Sequence, residues 1–108
     1  MLKINGEEWR LFLTSPFHPM LIRSDGSFTL GTCDNYSKSI YINRRLRPFK
    51  MKRVLCHEIT HAAMFSYKIE LTIEQEELLA DLIATYGQEI IDITNSIFNR
   101  LKENGEFV

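Results

Sequence analysis

At 108 residues the chain has room for one small domain, spanning 1–108, with a real but modest core. Its composition, 44% apolar and 25% charged, belongs to a globular fold and excludes a disordered or fibrous chain. The net charge of −1 provides no global drive toward nucleic acid. No apolar run is long enough to span a bilayer, and the N-terminus has no signal-like apolar stretch, so cytoplasmic residence and no membrane association are expected.

The first 43 residues read as strands and turns. Asn5-Gly6 is a hairpin signal, followed by an apolar run from Trp9 to Leu13. Pro16 and Pro19 interrupt the chain, and Met20 to Arg23 is either a single helical turn or irregular. Asp25-Gly26 marks another turn. Phe28 to Cys33 and Ser39 to Asn43 are expected as an antiparallel pair joined by Asp34-Asn35-Tyr36-Ser37. Cys33 and Cys56 do not make a disulfide framework and are expected to be reduced and structural.

A helix is expected from Pro48, a residue suited to a first helical turn. It carries Val54, His57, His61 and Phe65 along one inward-facing stripe. A break follows near Ser66 to Leu71, and Thr72 with Gln75 forms a capping-box signature for a second, long helix. The apolar stripe of that helix, Leu79, Leu82, Ile83, Tyr86, Ile90, Ile93, Ile97 and Leu101, is expected to be core, and Asn104-Gly105 to end it. Strands first and helices second predict an α+β fold, a small antiparallel or mixed sheet packed against two C-terminal helices.

Within the first helix, His57-Glu58-Ile59-Thr60-His61 is an H-E-x-x-H sequence. Histidines four apart share a helix face, so both imidazoles can reach one ion. Zn²⁺ there would activate a water, with Glu58 beside it as general base. Cys56, turned about 100° from His57, is not expected to join the ligands. A catalytic zinc needs a third protein ligand. The second helix offers Glu74, Glu76, Glu77 and Asp81. Glu77 shares a flank with the small residues Ala80 and Ala84, which would allow close helix approach, while Glu76 faces nearer the main apolar arc. Asp81, one turn after Glu77, can orient a ligand histidine. Tyr36, Tyr41, Tyr67, Tyr86 and His18 are candidate donors to an oxyanion.

His57-Glu58-Ile59-Thr60-His61 with Glu77-Leu78-Leu79-Ala80-Asp81 resembles the gluzincin metallopeptidases, thermolysin among them. The wider stretch 28–91 resembles the small ImmA/IrrE and SprT-like zinc peptidases of bacteria and phages, through Leu30-Gly31-Thr32-Cys33-Asp34, Ile40-Tyr41-Ile42 and Ala80-Asp81-x-x-Ala84. The resemblance implies His57, His61 and Glu77 as zinc ligands, Glu58 as base and Asp81 behind a ligand histidine. It also implies an edge strand lining the cleft and a protein or peptide substrate. Where ImmA-like chains often carry Phe-Ala and Met-Pro pairs, this one has Ile83-Ala84 and Tyr86-Gly87.

A second reading is a zinc-containing phage or mobile-element regulator that acts by binding a protein or nucleic-acid partner. The cluster Arg44, Arg45, Arg47, Lys50, Lys52 and Arg53 is the feature that would contact nucleic acid. Its plainer interpretation is a solvated loop and helix face.

Overall fold

The computed structural model describes residues 2–106. β1 (Leu2–Ile4) and β2 (Glu7–Thr14) form the hairpin expected at Asn5-Gly6, with φ of 50° and 78° at those two residues. Positive φ at both turn positions matches the right-handed twist of the flanking strands, and Asn-Gly tolerates it best. A single 3-10 turn at Pro19–Leu21 follows. β3 (Gly31–Asp34) and β4 (Ser39–Asn43) pair antiparallel, while β2 and β4 pair parallel. The sheet is therefore mixed, in the order β1-β2-β4-β3, with β3 at one edge. The expected strand from Phe28 is shorter than its apolar pattern suggests: Phe28 makes only an isolated bridge to Ile22, and Asp34 is drawn into β3. The Asp25-Gly26 turn folds 22–28 back on itself before the chain can join the ladder.

α1 (Pro48–Ser66) opens on proline at its first position. α2 (Ile73–Glu103) opens on the complete Thr72–Gln75 capping box, with reciprocal bonds of 3.0 and 3.1 Å. α1 packs on β3, β4 and β1, and α2 packs on α1. α1 is thus a middle layer. One of its faces serves the core of Trp9, Ile40, Ile42 and Ala62, and another is left for α2.

Trp9 locks the hairpin to the end of α1. It is fully buried and stacks on Phe65 at 6.5 Å, and its indole N–H donates to Ser66 Oγ at 2.8 Å. Asn5 Nδ2 donates to the Ser66 carbonyl at 3.0 Å, so one residue receives both the turn and the strand. Lys68, at φ 55°, then reverses the chain out of α1.

The apolar stripe of α2 is not core, contrary to its periodicity. Ala80 is the one buried residue of α2, and Ile83, Tyr86, Ile90, Ile93, Ile97 and Leu101 are 38–54% exposed. Length accounts for the C-terminal part of this exposure. α2 has 31 residues against 19 in α1, so its C-terminal half overhangs the layer that could cover it. The overhang stretches the molecule to 57 × 30 × 28 Å. Cys33 and Cys56 are free, as expected. No helix among the described residues is long and apolar enough to cross a membrane.

Replacing Ser66 with alanine leaves the buried indole N–H of Trp9 without its acceptor. Ser66→Ala is expected to cost about 1–3 kcal/mol of unfolding free energy, measured by urea denaturation.

Candidate metal centre

α1 and α2 meet where one turn of α1 faces the first turns of α2. His57 and His61 project from α1 into this contact, with their Nε2 atoms 3.1 Å apart. Glu77 reaches across from α2, its Oε2 lying 3.2 Å from His57 Nε2 and its Oε1 3.0 Å from His61 Nε2. The ligand-type atoms of these three residues lie within 4.8 Å of one another, close enough to form a metal site.

The other ring nitrogens are also engaged. Asp81 Oδ1 is 3.0 Å from His57 Nδ1, and Glu76 Oε1 is 2.6 Å from His61 Nδ1. A carboxylate at Nδ1 keeps the proton there and turns the Nε2 lone pair toward the centre. The two glutamates that compete from sequence therefore occupy different places. Glu77 faces the shared point, and Glu76 stands behind His61.

With each ring's proton on the Nδ1 that faces a carboxylate, two imidazole lone pairs and the Glu77 carboxylate converge on one point, a donor set that a bound cation would satisfy. Glu58, Glu76, Glu77 and Asp81 concentrate further negative charge around the two rings. A divalent ion would offset that charge as well. The nitrogen and oxygen donors suit zinc, whose sites use such sets.

Glu58 lies on the same turn and is buried. Burial raises its carboxyl above the ordinary value of 4.5; the nearby His61 and His57 pull it back, and Glu77 adds to the rise. Glu58 also lines the cleft, together with His57, His61, Glu77, Gly31, Thr32 and Cys33. This cleft has a volume of about 690 Å³.

Gly31 explains how β3 comes so near. A Cβ there would stand 2.8 Å from Val54 Cγ1, 3.0 Å from Glu58 Cγ and 3.1 Å from Ile42 Cδ1. Only a residue without a side chain lets the edge strand rest against the Glu58 turn. The Cys33 thiol is pushed up to about 12, by burial first and then by the charges of Glu58 and Glu76. Both effects favour its protonated form.

None of the five expected oxyanion donors lines the cleft. Tyr36 is 98% exposed. Tyr41 stacks between Phe12 and His18 on the far face of the sheet. His18 accepts from the Met20 N–H and caps the 3-10 turn. Tyr67 and Tyr86 are more than half exposed, Tyr86 on the overhanging helix. Residues that sequence reasoning passed over stand in the wall instead: Arg23, Thr29, Thr32 and Ile73. The Thr29 hydroxyl is committed to the Gly31 carbonyl and the Thr32 hydroxyl to that of Met20. Arg23 is held by the Ser27 hydroxyl and the Phe28 carbonyl, so the Asp25-Gly26 turn aims it. The turn was legible in sequence, but its position beside the cleft was not. The basic residues Arg44, Arg45, Arg47, Lys50, Lys52 and Arg53 are all exposed and none lines this cleft.

Residues 12–96 match the family model described as the IrrE N-terminal-like domain, a peptidase family. No curated protein and no solved structure matches the chain.

Two outcomes are expected at this site. Gly31→Ala should lower stability by about 1–3 kcal/mol through overpacking, read by denaturant titration, and displace Glu58. The second concerns pH. The Glu58 carboxyl is raised in the fold, so its protonated form is favoured there, and its ionisation costs stability as pH rises through the raised value. Metal-free Glu58→Gln should therefore melt above the metal-free parent at pH 7. The difference should vanish below the ordinary carboxyl value of 4.5, measured by calorimetry across pH.

Proposed function

The chain belongs to the IrrE N-terminal-like domain family, and on that footing we propose that it is a zinc-dependent endopeptidase acting in the cytoplasm on an extended segment of a protein. The observation that carries this reading is the convergence of His57 Nε2, His61 Nε2 and Glu77 on one point, with Glu58 on the same helical turn.

In this reading His57, His61 and Glu77 hold the ion. Asp81 and Glu76 orient the two rings from behind, each through Nδ1. Zinc bound there would polarise the scissile carbonyl and lower the pKa of a water. Glu58 would take a proton from the attacking water and deliver it to the departing amine. Its raised carboxyl pKa suits both halves of this transfer, since a base poised nearer neutrality can also serve as an acid. Arg23 provides a cation at the cleft wall for a substrate carbonyl or the developing oxyanion.

The free edge of β3 provides the substrate track. The Asn43 N–H donates to the Leu30 carbonyl at 3.0 Å. Antiparallel alternation then directs the Leu30 and Thr32 peptide groups to β4, and those of Gly31 and Cys33 outward. An extended peptide adding to this edge runs past Glu58 and the histidines, its main chain recognised by strand addition.

A second reading keeps the metal and dispenses with catalysis: a regulator that binds a protein partner. The exposed apolar face of α2 is the observation in its favour.

Purified chain is expected to hold about one zinc per molecule, and absence of stoichiometric zinc by elemental analysis sinks the proposal. Glu58→Gln should retain zinc and lose at least about 10²-fold in cleavage rate. Biological activity that survives Glu58→Gln with zinc intact selects the regulator. Glu77→Gln should empty the site, whereas Glu76→Gln and Asp81→Asn should weaken zinc binding about 10–100-fold.

A further inference from the structure

From Ile83 onward α2 carries an apolar surface that the metal chemistry does not use. Ile83, Tyr86, Ile90, Ile93 and Ile97 recur at alternating steps of three and four, the spacing of a coiled-coil seam. They remain 38–54% exposed, and Leu101 continues the strip. Ile83 and Ile90 also wall an apolar trough of about 680 Å³ between α2 and the start of α1. The strip and the trough thus form one continuous face. Contiguous apolar surface on this scale marks an interaction site.

The charges beside the seam identify the occupant. Glu89 and Arg100 lie about three turns apart on the same flank of α2. Neither makes an ion pair within the described residues. Laying a second α2 antiparallel against the first brings Glu89 of each copy beside Arg100 of the other, while Ile93 meets Ile97. A parallel arrangement would instead set each charge level with its own like. Only the antiparallel orientation sets each charge beside its opposite, residue i meeting j and j meeting i as in an isologous interface. A lipid surface fits less well, because Glu89, Asp92, Asn95, Ser96 and Asn99 dominate the polar face, where a membrane-bound helix carries lysine and arginine.

We propose that the C-terminal half of α2 is a homodimer interface, in which two copies pair their α2 helices antiparallel through Ile90, Ile93 and Ile97, with reciprocal Glu89–Arg100 ion pairs. The metal ligands sit toward the N-terminal end of α2, so both clefts stay open in the dimer. The proposal is independent of the peptidase reading, because it concerns assembly and not the chemistry of the centre.

Sedimentation equilibrium of the full chain tests it. The wild type is expected to be a dimer at micromolar concentration. Ile93→Asp should be monomeric, with unchanged circular dichroism and metal content, since Ile93 is 53% exposed within one chain. Glu89→Arg and Arg100→Glu should each raise the dimer dissociation constant at least tenfold. The double variant E89R/R100E should restore it to within about threefold of wild type, because both pairs re-form with signs exchanged. A wild-type monomer at about 100 μM, a concentration far above a micromolar dissociation constant, overturns the proposal, as does a dimer that survives Ile93→Asp. Failure of the double variant to recover overturns the antiparallel pairing. A wild-type monomer that sediments with vesicles of phosphatidylserine and phosphatidylcholine would also overturn it, assigning the face to lipid.

Discussion

Three lone pairs directed at one point between two helices impose the main constraint on this protein. His57 and His61 present their Nε2 atoms 3.1 Å apart, and Glu77 stands about equally far from both. A cation held among them would clamp α1 to α2. α2 contributes almost no buried apolar side chain of its own, Ala80 alone being buried. The polar contact at the start of α2 therefore bears much of its attachment to the rest of the molecule. Metal binding there would couple to the docking of α2.

Everything else places α1 so that this clamp can form. Trp9, Phe65 and Ser66 fix its C-terminal end against the first hairpin. Gly31 allows the edge strand to rest on the turn that carries Glu58. The same strand, lying beside Glu58 and a pair of imidazoles, leaves outward-facing peptide groups. The close approach of β3 to α1 thus sets a free strand edge beside the candidate metal site. Cys33 lines the same cleft as Glu58, its thiol pushed up by burial.

The overhang of α2 gives the molecule a second, separate surface. Helical amphipathicity records that a face needs cover, but it does not say whether cover comes from the same chain. Here α1 ends before the stripe does. The self-complementary placement of Glu89 and Arg100 offers a reason for the extra length, and it leaves the metal-bearing end of the helix untouched.

Much of this could be read from sequence because the signals are local. H-E-x-x-H fixes two rings on one helical face, Thr72 and Gln75 announce the next helix, and Asn5-Gly6 announces the hairpin. Their geometry follows from backbone periods and turn chemistry alone. The roles left open were those that depend on separation through space. Glu76 and Glu77 are adjacent in the chain, and their assignment to opposite sides of His61 depends on the rotation of α2 about α1. The cleft wall depends on tertiary packing for the same reason: the fold sends Tyr41 to the far face of the sheet and brings Arg23 to the wall. The α2 stripe was misjudged because periodicity carries no information about the length of the neighbouring helix. Local sequence determined which groups could share an ion. Only the packing of α2 on α1, and of β3 beneath it, decided which of them face the same point.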